Sequence, residues 1–255
     1  IPLRLVGSEM CIRDSMEILS ELMRLKYGIS ITGSHGKTTT TSLLSHILHD
    51  NNLDPTYLIG GMLKTDDPHV KLGNSNYLIT ETDESDPNFI ILKPHLVVLT
   101  NLDSEHLENY GDSFENLKKS MQNFINSIPF YGQAFINGDD LNSINICKKI
   151  NRDIFTFGLK NHNHLYAKDI ILHDKKMKFK LIYNNRVYSL ATNLIGNHNV
   201  YNILAAISVC LHLDIKITKV IQSVSTFFGV SRRLDIHSDI DCLLYTSDAA
   251  DEEDS

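Results

Sequence analysis

No apolar run in the 255 residues is long enough to cross a membrane, and no stretch reads as a signal peptide, so membrane insertion is not expected. Cysteine is scarce. Cys11, Cys147, Cys210 and Cys242 form no close-spaced pair, which argues against a zinc site and a disulfide framework. That usage fits a reducing cytosol, and a cytoplasmic location is expected. Basic excess is lacking too. Lys and Arg number 24 against 31 Asp and Glu, a net charge of −7. Six of those carboxylates (Asp241, Asp248, Asp251, Glu252, Glu253 and Asp254) sit in the last 15 residues with no Lys or Arg, leaving −1 for the rest. No chain-wide basic field is available for nucleic acid. Internal repeats and low-complexity tracts are also missing from residues 16–240.

What is present is a chain long enough for one large domain or two small ones, each with a sizeable core. Its centre of gravity is the stretch from Ile29 to Thr40. Ile29 and Ile31 alternate with small polar residues, as in a strand. Gly33 and Gly36 allow a tight turn and close approach of a ligand. Ser34 and His35 fill the loop between them. A helix then begins, with its free N–H groups and positive dipole end facing the loop. A polyphosphate fits there. Lys37 can reach the β- and γ-phosphates, and the Thr38 hydroxyl, followed by Thr39, can take a place on Mg²⁺. A plain strand–helix turn with a surface lysine does not explain two glycines, Lys and Thr in this order.

The pattern predicts an α/β fold: a mostly parallel sheet with flanking helices and a phosphate loop, plus a small antiparallel β appendage. An amphipathic helix is expected over Met16–Tyr27, with Ile18, Leu19, Leu22, Met23 and Leu25 on its apolar face and Gly28 as its stop. Further helices are expected over Thr39–His49, Ser113–Ile128, Leu141–Lys149, Val200–His212 and Ile217–Phe227. Strands are expected at Tyr57–Ile59, Tyr77–Thr80, His95–Leu99, Ala134–Asn137 and Ile154–Phe157. From Leu165 to Ala191 shorter alternating segments are separated by Asp174-Lys175 and Asn184-Asn185, the appendage.

Two of the strands deliver polar clusters, Glu81-Thr82-Asp83-Glu84-Ser85-Asp86 and Thr100 to His106. Ligands in an open α/β sheet bind outside the carboxyl ends of the strands. Glu81 could therefore face Thr38 as a metal ligand, or belong to a solvated acidic loop. His106 could supply nitrogen to a second divalent ion, or be a surface histidine. Asn199 could cap the helix that follows Gly196 or, with His198, bond a purine edge. Arg233 could be a surface arginine or a planar donor to phosphate.

Taken together, Gly33 to Thr40, Glu81 to Asp86, Thr100 to His106, Gly196 to Asn199 and Arg232-Arg233 resemble, in order and spacing, the Mur ligases. These are ATP-dependent amino-acid ligases of peptidoglycan synthesis, and the resemblance covers about Met16 to Asp239. It implies ATP and Mg²⁺ as cofactors, and a parent protein in which a carboxylate becomes an acyl phosphate and then an amide. The blocks are most similar to the branch that takes UDP-N-acetylmuramate and L-alanine as substrates. The branch that reattaches recycled peptide usually has an aromatic residue where this chain has Ser85. The resemblance assigns phosphate to Lys37, the first Mg²⁺ to Thr38 and Glu81, and the second to His106. It assigns adenine to His198 and Asn199, and a phosphate to Arg233. Some members support the second metal with a carboxylated lysine; near that place this chain reads Met121, so none is assigned.

The family plan has an N-terminal UDP-sugar domain, a central ATPase domain and a C-terminal amino-acid domain. On that plan residues 16–27 are the last helix of the first domain, and 28–236 are the central one. Residues 237–255 hold a domain junction and a foreign end. Val6 to Ser15 and Leu244 to Glu252 resemble translated sequencing adapter, so residues 1–15 are also expected to be non-native. The alternative functional expectation is a free-standing ATP-binding module or another phosphoryl-transfer NTPase or kinase.

Overall fold

The computed structural model describes residues 8–60 and 70–229. Arg232 and Arg233, Gly61 and the stretch 244–252 lie outside them. Ten strands form one sheet in the order β10-β9-β8-β7-β6-β5-β1-β4-β2-β3. The strands are β1 Tyr27–Thr32, β2 Thr56–Leu58, β3 Val70–Lys71, β4 Tyr77–Glu81, β5 Leu96–Leu99, β6 Gln133–Asn137, β7 Asp153–Gly158, β8 Leu165–His173, β9 Lys176–Tyr183 and β10 Arg186–Thr192. From β2 through β8 all neighbours run parallel; β3 and the β8–β10 meander are antiparallel. The expected fold class is the observed one.

Alternation in the central strands splits the core in two. Ile29, Ile31, Ile79, Leu96, Val98 and Phe135 face one side, where α2 (Lys37–Asp50), α5 (Asn197–His212) and α6 (Ile217–Thr226) pack. Leu78, Val97, Leu99, Ala134 and Ile136 face the other, under α1 (Ser8–Leu25), α3 (Phe114–Asn126) and α4 (Leu141–Cys147). Strands covered on both faces read as unbroken apolar runs for this reason. Ser113 and Asp140 cap α3 and α4 by accepting from the N–H groups of Asn116 and Ser143. Both hairpins of the meander turn on residue pairs with positive φ, Asp174-Lys175 and Asn184-Asn185. Two left-handed residues match the strand twist, which is why these pairs read as turns.

Three expectations need correction. The first helix begins at Ser8 and ends at Leu25, and Tyr27 and Gly28 already belong to β1. Gly28 N donates to His95 Nδ1 at 3.2 Å, so it sits in the sheet and does not stop the helix. The apolar face of that helix is divided: Met23 is buried, while Ile18, Leu22 and Leu25 are 56%, 40% and 81% exposed. Asn199 does not cap α5. The cap position is Gly196, and the Asn199 side chain donates back to Ile195 O at 2.8 Å.

The chain crosses from β4 to β5 on opposite sides of β1. That reversal of strand order opens a crevice above β1, and the loops after β1, β4 and β5 all empty into it.

Candidate nucleotide-binding site

The loop after β1 is held from two directions. Asn101, just past β5, receives Ser34 N on its carbonyl at 3.2 Å and His35 N on Oδ1 at 2.8 Å. Thr100 Oγ1 donates to His35 O at 2.6 Å, and Asp103 N donates to Ser34 Oγ at 2.9 Å. Gly33 and Gly36 take φ of 121° and 85°, open to glycine at little cost. A Cβ on Gly33 would collide with Thr100 Oγ1, and one on Gly36 with Asn202 Oδ1. The loop is thus pinned against both β5 and α5.

Helix α2 starts at Lys37 with Gly36 at its cap and no side chain on its free N–H groups. They remain available to an anion, with the dipole behind them. Lys37 Nζ donates to Gly33 O at 2.8 Å and to Glu84 Oε2 at 2.9 Å. Thr38 Oγ1 meets the two Glu81 carboxylate oxygens at 3.0 and 3.1 Å. Glu81 also accepts from Gly60 N at 2.9 Å. Thr39 continues the first turn, half-buried. The structure therefore brings Gly33, Ser34, His35, Gly36, Lys37, Thr38, Thr39 and Glu81 into one place. Glu81 is no isolated, solvated carboxylate.

Thr38 and Glu81 offer hard oxygen donors beside a phosphate cradle, which suits Mg²⁺. That ion keeps several waters and takes one or two protein oxygens plus substrate phosphate. Among the described residues no three His, Cys, Asp or Glu side chains converge as a closed metal cage. His106 stands exposed in the loop after β5 with a left-handed φ of 52°, and is not part of a shared ligand cluster with Glu81. His35 lies with Nε2 3.5 Å from Asp103 and 3.6 Å from Glu105. It bridges the phosphate loop to the loop that carries His106.

His198 and Asn199 open α5, whose Asn202 abuts Gly36. His198 is exposed; Asn199 is buried and bonded to Ile195 O and Asn202. Further along, Tyr201 OH donates to Asp139 Oδ2 at 3.1 Å. Burial, then the Asp139 charge, pushes the Tyr201 hydroxyl up to about 12. Cys147 is pushed up to about 11 by burial, so it offers no thiolate near neutral pH.

Glu84, Asn101 and Asn202 were not singled out from sequence. Glu84 is one of four carboxylates in six residues, and nothing in that run says which one turns inward. Asn202 follows Asn199 by three residues, a spacing that places both on one helix face and could have been used. Glu84 and Lys37 are both nearly buried, at 8% and 16% side-chain exposure. Tyr110 OH, kept protonated by burial and by Glu84, Asp86 and Asp83, donates to Glu84 O at 2.6 Å and fixes the turn. Incoming phosphate must compete with Glu84 for the Lys37 ammonium. Glu84→Gln is therefore expected to tighten metal-free ADP binding several-fold while lowering the melting temperature, since a buried charge loses its partner. A titration beside a thermal melt checks both; weaker binding would show that Glu84 holds Lys37 ready for phosphate instead.

The sequence profile of the Mur ligase middle domain matches residues 31–210. The UDP-N-acetylmuramate–L-alanine ligase of Vesicomyosocius okutanii is 44% identical over 223 residues, 87% of this chain and 48% of that protein. The solved UDP-N-acetylmuramate–alanine ligase of Thermotoga maritima has a TM-score of 0.74 at 25% identity, covering 90% of this chain and 50% of that one. The MurF ligase of Thermotoga maritima, solved in complex with ADP, has a TM-score of 0.69 at 19% identity, over 89% of this chain and 54% of that one. This last likeness shows the fold alone. The chain spans about half the length of the curated relatives it matches.

Proposed function

The chain belongs to the Mur ligase family, and from that membership we propose that it binds ATP with Mg²⁺ for a ligase that joins L-alanine to UDP-N-acetylmuramate. The observation that carries the ATP reading is the triad of contacts at the loop: Lys37 over Gly33 O, Thr38 against Glu81, and the uncapped start of α2. The substrates rest on the 44% identity to a relative of that name. A nucleotide ligand is consistent with the ADP complex of the similarly folded Thermotoga maritima MurF ligase.

In the reaction proposed for the whole protein, a substrate carboxylate oxygen attacks the γ-phosphorus, the bond to the bridging oxygen breaks, and ADP leaves. The alanine amine then attacks the acyl phosphate carbon, loses a proton, and expels phosphate as the amide forms. Here the residues of this chain bind and position. The free N–H groups at the start of α2 cradle the phosphates, and Lys37 meets charge on the γ-phosphate oxygens. Thr38 and Glu81 would hold Mg²⁺, which neutralises phosphate charge when bound. His106 is assigned to a second Mg²⁺, His198 and Asn199 to adenine, and Arg233 to a phosphate. Holding two substrates and ATP in register supplies most of the rate, and that needs more than this chain.

No described helix is long and apolar enough to cross a membrane, and the proposed reaction is placed in the cytoplasm. The test has two parts. The full-length protein is expected to form the alanyl amide with ATP and Mg²⁺. The chain by itself is expected to bind ATP and hydrolyse it hardly at all. Fast hydrolysis by the chain without any UDP-sugar would instead favour a free-standing NTPase.

A further inference from the structure

A charge of −7 for the whole chain conceals a basic pole. Residues 165–192, the β8–β10 meander, carry five Lys and one Arg against two Asp. Alternation along β9 sends Met177, Phe179 and Leu181 into the core and Lys176, Lys178 and Lys180 to the opposite face. The register sets Lys168 directly across from Lys180, and Ile171 across from Lys178. On the other flank Ser189 lies across from Lys180, and Val187 across from Ile182.

This arrangement is not the ordinary protection of a sheet edge. Edge strands are blunted with lysine against unwanted pairing, but β9 is paired on both sides, and edge strand β10 shows Val187, Ser189 and Ala191 on that face. Nor does it serve the ladder, because like charges directly opposite destabilise a pair of strands. Asp169, at a bulge with φ 55°, neutralises Lys180 at 2.7 Å. Among the described residues Lys178 meets the His173 ring, at 2.9 Å. Ile171 and Val187 stand 56% and 58% exposed among these cations.

We propose that the outer face of the β8–β10 meander, built on Lys168, Lys176, Lys178 and Lys180 with Ile171 and Val187, docks the protein peripherally on an anionic lipid bilayer. A field of ammonium groups on one sheet face suits a sheet of headgroups, and the two aliphatic side chains are suited to the headgroup–acyl boundary. Tyr166, the tyrosine on this face, is half-buried, unlike the exposed aromatic platforms that single-stranded nucleic acid uses. Strand β9 lies five strands from β1, roughly 24 Å at the usual spacing, so this face is separate from the nucleotide crevice.

The experiment is flotation of the chain with phosphatidylcholine vesicles, with and without phosphatidylglycerol. Binding is expected on the anionic vesicles alone and is expected to fade as salt rises. Each lysine replaced by glutamine at 176, 178 and 180 should cost about fivefold in partitioning. ATP affinity should stay unchanged in all three. Ser189→Lys adds a cation to the same face and should increase binding, which keeps the test sharp if a lysine variant folds poorly. Equal partitioning onto neutral vesicles overturns the proposal. So does wild-type binding by the triple glutamine variant, or tighter binding of a single-stranded oligonucleotide than of anionic vesicles at the same salt.

Discussion

Lys37→Ala is expected to remove measurable ATP binding. The ammonium sits at the mouth of an uncapped helix, 2.8 Å from Gly33 O, where phosphate charge would gather. Truncating one member of a desolvated charge pair typically costs about 2–5 kcal/mol, or roughly thirtyfold to several-thousandfold in Kd. Part of that cost would fall on the empty protein, because Glu84 would be left buried without its partner. The double variant Lys37→Ala with Glu84→Gln separates the two effects. It is expected to recover melting temperature but not nucleotide affinity. An unchanged Kd for ATP with Mg²⁺ in the single variant would refute the assignment of the loop.

The second large effect is expected at Glu81. Glu81→Gln keeps an oxygen that can accept from Thr38 and from Gly60 N, so the loop geometry should survive. What it loses is the charge that a divalent cation needs. Binding of ATP with Mg²⁺ should weaken on the order of tenfold or more, while metal-free binding should change little or improve. Calorimetric titration of ATP across a Mg²⁺ series reads the difference directly. Equal losses with and without metal would mean that Glu81 acts only as a structural anchor.

Much of this was legible in one dimension because it is local. Glycine spacing, the Lys-Thr pair and the following helix pattern are set within about ten residues, and so is the turn chemistry of Asp174-Lys175 and Asn184-Asn185. The buried strands were visible as short apolar runs because both of their faces are covered. The first helix went astray at its C-terminal end because propensity cannot tell a strand-forming Tyr27-Gly28 from a helix stop. The β1–β4 pairing, across some fifty residues, decides it. The position of Asn199 before an apolar run allows a cap as one of its two readings. In the fold Gly196 takes that place and the amide bonds back to Ile195 O.

The sequence by itself determined the α/β class, the phosphate loop and the strand ends that feed it, since periodicity and backbone freedom are properties of neighbouring residues. Only the tertiary structure decided which of four crowded carboxylates meets Lys37, that Glu81 bonds Thr38 and does not lie in a solvated loop, and that Asn202 closes on Gly36. Those partners lie between 43 and 166 residues apart and meet only when the sheet stacks their loops. The basic face is of the same kind. Its lysines vanish in a net negative count and become a surface only through the register of three antiparallel strands.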